Sequence, residues 1–263
     1  MKIIALPTRV FYPPRDDIRE ELIRAAEQAE DRSVVAVTSK AVSIQEGRCV
    51  PLDHFTSRDE LAKQEADYYL PRERTPGEFA LHTLKDGRWC GSAGVDKSNA
   101  NGFYILLPCD VWYSAENILK FLQYQQPHKT LAVIITDSVS QPLYRGIRGA
   151  ALSFAGLDPL FSYGGRQDLF GRVIRWGRVN VADALASAAV WVMGEGGDAQ
   201  PLALISDLPP ELFMPENYDP SLPFSSFQVP PEEDLYWPFL ESVEWLPGGG
   251  GYRTEWQAET AWE

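Results

Sequence analysis

The sequence predicts an α+β fold, with mixed sheets and packed helices rather than a regular doubly wound sheet. Three observations carry this. Short β-branched, apolar runs recur along the chain, helical periodicity separates only some of them, and no regular strand–helix alternation links them. With 263 residues, 44% hydrophobic and 23% charged, the composition is that of an ordinary globular protein.

The elements follow in order. Lys2–Leu6 is a short β-prone run, and Pro13-Pro14 break the chain after it. Asp16–Glu27 reads as a helix, because Ile18, Leu22, Ile23 and Ala26 share a face and acids fill the first turn. Val34–Thr38 is the apolar, β-branched run of a buried strand. Ser57-Arg-Asp-Glu60 is a capping box that opens a helix running to about Tyr69, before Pro71. Phe79–Thr83, Phe103–Leu107, Leu131–Thr136, Gly149–Phe154 and Arg172–Val179 read as strands, with a helix over Ser114–Leu122. Asn180 caps a helix through Ala182–Val192 that is apolar almost all round and therefore predicted buried. Leu202–Ile205 closes the body as a strand.

This divides the chain into a body, residues 1–206, and a C-terminal extension, residues 207–263. Of the net charge of −13, the body carries −2 and the extension −11, with Arg253 its only base. The extension holds nine of the 20 prolines and four of the eight tryptophans. The prolines favour an open chain. The tryptophans favour docking on the body, through Leu235, Trp237, Phe239 and Trp245. Gly248–Gly251 reads as a flexible break, and the last dozen residues as mobile.

Several function classes are disfavoured. An acidic protein repels phosphate backbones, so nucleic acid is not an expected partner. The longest apolar run, Leu185–Met193, is far short of the roughly 20 residues of a membrane span. Three cysteines without a CxxC give neither a disulfide framework nor a zinc ribbon, and a reducing cytoplasm fits best. His54, His82 and His128 form no HExxH. Against the overall acidity, Arg145–Arg178 carries six arginines and only Asp158 and Asp168. That segment is either a surface for an anionic small molecule or an ordinary basic strand with ion pairs.

No Walker A motif and no GxGxxG after a strand is present. Three turns instead place carboxylates in tight backbone: Asp96 in Gly91–Asn99, Asp137 after Ile134-Ile135, and Glu195 in Met193–Asp198. Taken singly, each reads as a turn former or cap. Together, Asp96, Asp137 and Glu195 are an oxygen-ligand set for Mg²⁺ or Mn²⁺, ions usually shared between carboxylates and phosphate oxygens.

The order of these segments resembles the coenzyme F420-0:gamma-glutamyl ligase family over about residues 1–206. The landmarks are VVAVTSKAVSIQEGR (34–48), AGVDKSN (93–99), VIITDS (133–138), GGRQDLFGR (164–172), VNVADALASAA (179–189) and MGEGGD (193–198). The resemblance implies an unusual α+β fold, a homodimer, and an enzyme that adds L-glutamate to a carboxylate through an acyl phosphate, using GTP or ATP with two Mg²⁺ or Mn²⁺ ions. It implies metal ligands Asp96, Asp137, Ser138 and Glu195, the three carboxylates being the catalytic set. It also implies a nucleotide contact at Asn99, beside which Ser39, Lys40 and the backbone of Gly194, Gly196 and Gly197 are candidates. Arg145 and Arg148 are candidates for anionic substrates, since guanidinium pairs bidentately with carboxylate and phosphate; surface ion pairing is their other role. One departure stands out: the family's nucleotide-contacting lysine position is Ile44, which leaves Lys40 to supply the charge. KQEADYYLPRE (63–73) and EEDLYWPFLESVEW (232–245) resemble a bacterial branch labelled folate gamma-glutamate ligase, which makes a folate-type acceptor the leading expectation and F420-0 the alternative. A non-catalytic nucleotide-binding or regulatory protein is the alternative of another class.

Overall fold

The computed structural model describes residues 1–214, 227–257 and 261–262. Its centre is a five-stranded sheet of β1 (Lys2–Leu6), β2 (Ser33–Thr38), β8 (Leu131–Ser140), β9 (Ile147–Ala155) and β12 (Leu202–Ser206), in the order β1-β12-β2-β8-β9. Only β2 and β8 pair in parallel; the other neighbours are antiparallel. This is the mixed α+β architecture expected from the sequence.

The apolar runs are continuous because the sheet is covered on both faces. Val35, Val37, Val133 and Ile135 face α1 (Arg19–Gln28) and α4 (Val111–Gln125), packing with Leu22, Ala25, Ile118 and Leu122. Val34, Ala36, Ala132 and Ile134 face α5 (Val181–Met193), packing with Leu185, Ala186 and Ala189. Asn180 caps α5 as expected, its side-chain oxygen accepting from the Asp183 amide.

Around this core lie a two-stranded antiparallel sheet of β3 (Cys49–Pro51) and β7 (Phe103–Ile105), and helix α2 (Ser39–Gln45) directly after β2. A second sheet has the order β13-β4-β5-β6, from β4 (Tyr68–Leu70), β5 (His82–Lys85), β6 (Arg88–Gly91) and β13 (Leu246–Pro247), beside α3 (Arg58–Glu65). An exposed arm ends in β10 (Leu160–Ser162) and β11 (Arg178–Asn180), and α6 is the short helix Trp237–Glu241.

Several boundaries differ from expectation. Helix α1 starts at Arg19, not Asp16, because Asp16 accepts from the Tyr12 amide and pairs with Arg9, while Asp17 takes the Arg19 amide. Helix α3 stops at Glu65, since Ala66 turns extended and Tyr68–Leu70 joins a sheet. The strand expected from Phe79 begins at His82, and Phe79 is exposed. Of Arg172–Val179, only Arg178 and Val179 are strand; Gly171 and Gly177, both at positive φ, bend the rest into turns. Helix α5 is not buried all round, since Trp191 is 87% exposed.

The C-terminal extension also departs from expectation. Leu235 and Phe239 are exposed, and Trp237 and Trp245 are only half-buried. The closer contacts come further on. Leu246 and Pro247 pair with β4, and the four glycines are seated rather than loose: the Gly248 to Gly251 amides donate to Asp67, Lys63, Ala66 and Gln64 carbonyls. A Cβ on Gly248 would lie 2.1 Å from the Ala66 carbonyl oxygen, so the close approach demands glycine. Within the last dozen residues Thr254 is buried, and Trp262 packs against the α1–α4 core; residues 258–260 and 263 lie outside the described residues.

Candidate active site

Strands β2 and β8 run in parallel, so their C-terminal halves deliver residues to one place, with Thr38 opposite Thr136. Chain leaving β2 enters α2 at once, which sets Ser39 and Lys40 there; Thr38 caps the helix by accepting from the Ala41 amide. Strand β8 continues past its apolar run to Ser140, so Asp137 lies within the strand and not at its end. A β-bulge against β9 at Ile135/Thr136 precedes it; such bulges re-aim the side chains that follow.

The second contributor is the turn before β7. Ser92, Ala93 and Gly94 all have positive φ, and a Cβ on Gly94 would lie 2.4 Å from Leu107. That tight backbone, with an antiparallel bridge from Asp96 to Ile105, points Asp96 at Lys40. The Lys40 ammonium donates to Asp96 Oδ2 at 2.8 Å and to the Ser98 hydroxyl at 2.8 Å. Ser98 closes the triangle, its amide and hydroxyl both donating to Asp96.

The third contributor follows α5. The Ser138 hydroxyl donates to Glu195 Oε1, and the Asn99 side chain donates to the Gly196 carbonyl at 2.9 Å. Gly194 takes φ +81 with Asp198 tucked against it: a Cβ there would lie 2.6 Å from Asp198 Oδ2, and Asp198 also accepts from the Gly196 amide. Gly197 belongs to the same exposed turn. Direct contacts thus tie Lys40 to Asp96, Ser138 to Glu195, and Asn99 to Gly196. Ser39, the first residue of α2, lowers the Asp137 carboxyl slightly and so lies on the same side of the site.

The electrostatics are uneven. Burial pushes the Asp137 carboxyl up to about 6, and the nearby Asp96 charge adds to this, against the opposing pull of the Ser138 amide, Lys40 and Ser39. Burial also disfavours the Asp96 anion, yet Lys40 and Ser98 overcome it and hold that carboxyl well below the usual carboxylate range. Negative charge therefore exceeds what Lys40 neutralises. Among the described residues, no three His, Cys, Asp or Glu side chains converge as a ready-made metal cluster. The donors are nevertheless all oxygen, from Asp96, Asp137, Ser138 and Glu195, a set that suits a hard divalent cation, which would favour the ionised form of Asp137 that burial disfavours.

Arg145 and Arg148 are not brought into this group. Both are exposed near or in the β8–β9 turn, and Arg148 faces Asp183 at 3.7 Å. Ile44 is buried with Cys49, Ala100 and Ile105, so Lys40, one turn earlier on the same helix, is the ammonium that reaches the site. Two residues were passed over in the sequence. Ser98 and Asp198 both lie inside the landmark motifs, and their positions beside an Asp and a Gly run were the available signal.

The site is thus oxygen-lined and set beside the C-terminal halves of two parallel strands, with an ammonium and glycine-rich turns around it. The F420-0:Gamma-glutamyl ligase family model matches residues 12–207. The chain is 31% identical over 229 residues to the coenzyme F420:L-glutamate ligase of Methanopyrus kandleri, covering 81% of this chain and 89% of that one. It is 33% identical over 212 residues to the enzyme of the same name from Methanothermobacter thermautotrophicus (74% and 84% covered), and 32% over 206 residues to that of Archaeoglobus fulgidus (73% and 82%). The chain belongs to the F420-0:gamma-glutamyl ligase family, whose enzymes form gamma-glutamyl bonds. No helix among the described residues is long and apolar enough to cross a membrane.

Proposed function

We propose that this chain is a nucleotide- and metal-dependent gamma-glutamyl ligase that adds L-glutamate to the carboxylate of an F420-0-type acceptor. The observation that carries the reading is the meeting of four separate segments, through Lys40–Asp96, Asn99–Gly196 and Ser138–Glu195. The names of the relatives favour F420-0 over the folate-type acceptor expected from the sequence.

In this reading Asp96, Asp137, Ser138 and Glu195 hold Mg²⁺ or Mn²⁺, which supplies charge neutralisation at the transferring phosphoryl group. Lys40 is the movable cation: its ammonium rests on Asp96 and turns to the phosphates of GTP or ATP. Asn99 and the Gly194–Gly197 turn, joined by the Asn99–Gly196 hydrogen bond, hold the nucleotide with it. The acceptor carboxylate attacks the γ-phosphate, giving an acyl phosphate and the nucleoside diphosphate. The glutamate amine then attacks the acyl carbon, an amide forms, and phosphate leaves. Arg145 and Arg148 remain proposed anion contacts at the outer edge.

Two copies are proposed to pair through the exposed arm, where Leu169, Phe170 and Trp176 are each at least 90% exposed. Cytoplasmic location is proposed from the free Cys49, Cys90 and Cys109.

The test offers purified protein F420-0 and tetrahydrofolate separately, with GTP or ATP, Mg²⁺ and L-glutamate, and reads products by mass spectrometry. A glutamyl adduct on F420-0 with equimolar phosphate release is expected. An adduct on tetrahydrofolate alone would move the acceptor to folate. Nucleotide binding without any adduct would make the chain a non-catalytic binder.

A further inference from the structure

We infer that the C-terminal residues 252–257 and 261–262 form a strap that positions helix α2, and through it Ser39 and Lys40, for the nucleotide. The inference rests on the proposed role of those two residues and concerns a segment beyond residue 207, where the family match ends.

The strap lands on one turn. Four consecutive buried residues, Gln45 to Arg48, each bind it. Gln45 donates to the Ala261 carbonyl at 2.8 Å, and Glu46 accepts from the Trp262 indole at 2.9 Å. The Gly47 carbonyl accepts from the Thr254 hydroxyl at 2.6 Å, and Arg48 donates to the Tyr252 carbonyl. The seat is shaped for backbone: Gly47 has φ +71, and a Cβ there would lie 2.0 Å from the Trp256 carbonyl oxygen. Glu46 is anchored from below as well, accepting from the Ser114 hydroxyl at 2.5 Å.

This turn is the far end of α2. The helix, SKAVSIQ, has no glycine or proline to bend it, so it moves as a rod. Lys40 and Gln45 are separated by about 7.5 Å of helix at 1.5 Å per residue. A shift of about 1 Å at the turn passes to Lys40, whose hydrogen bonds to Asp96 and Ser98 are only 2.8 Å long and weaken steeply with distance. The strap thus acts as a positioning element and touches no reacting atom.

The test uses the full chain. Thr254→Val keeps the shape and removes the hydroxyl on Gly47; Gly47→Ala unseats the strap backbone; Phe239→Ala, in the exposed part of the extension, is the control. All are compared well below their melting temperatures. For Thr254→Val we expect the KM for nucleotide to rise about tenfold with the KM for glutamate unchanged. Lys40 should also be acylated about threefold faster by an amine-directed reagent, read by peptide mass spectrometry, because its ammonium is held less often by Asp96. A lowered melting temperature with unchanged nucleotide KM and unchanged Lys40 labelling would overturn the strap. Labelling does not require turnover, so it decides the strap even if the ligase reading fails.

Discussion

The rim of the candidate site and the C-terminal extension reach their places by opposite routes. The rim is made of charged residues in short local motifs, each fixed by its own turn: Asp96 by Gly94, Glu195 by Gly194 and Asp198, Lys40 by the Thr38 cap. The extension has no such motif. It is held by contacts to distant elements, Gly248–Gly251 by their backbone on α3, and residues 252–257 and 261–262 on the turn after α2. Under the proposed function, rim residues carry the chemistry, and their substitution should abolish it without unfolding the chain. Residues of the extension's seat carry fit, and their substitution should change stability and position first.

The largest expected effect is on the rim. Asp137→Asn should lower turnover by about 10³-fold, roughly 4 kcal/mol of transition-state stabilisation, with native secondary structure by circular dichroism. Near-normal turnover at saturating Mg²⁺ would remove Asp137 from the site. Next is the seat. Gly47→Ala should cost about 2 kcal/mol or more in urea unfolding, because a Cβ meets carbonyl backbone and an unfavourable φ. A loss below about 0.5 kcal/mol would mean that the extension is not seated as described.

A subtler effect separates the two regions by pH. Asp137 has a folded value raised to about 6, above its unfolded value, so its protonated form favours folding. The stability it contributes is full below the unfolded value near 4 and is lost as pH rises through about 6. In chelator, Asp137→Asn should therefore melt progressively higher than the parent chain between pH 4 and 7, and Mg²⁺ should narrow that gap. A gap that is constant with pH would contradict the burial of this carboxyl. The smallest effect belongs to Phe239→Ala, which should change unfolding free energy by less than about 0.5 kcal/mol, since that side chain is 71% exposed. A larger loss would show that residues 232–245 dock as the sequence suggested.

How far each region was legible follows from the same contrast. The central strands were readable because both-sided burial writes itself as Val-Val-Ala-Val and Ala-Val-Ile-Ile runs. The rim was readable because its turns need glycine beside acid within a few residues. Asp137 was placed at a strand end because polarity begins there, whereas Thr136 to Ser140 continue the ladder with β9. Composition misread Gly248–Gly251 as loose, since what demands glycine is the backbone of α3, far away in sequence. Arg172–Val179 has β-prone residues, but Gly171 and Gly177 decide its path.

The central claim of the proposed function is that Asp96 and Glu195, from two turns, and Asp137, from strand β8, serve one metal site. Mn²⁺ titration followed by electron paramagnetic resonance, with nucleotide present, tests it directly on the parent chain and on Asp96→Asn, Asp137→Asn and Glu195→Gln. The account predicts Mn²⁺ affinity at least about tenfold weaker in each variant. Affinity unchanged in all three, with nucleotide still bound, would contradict it.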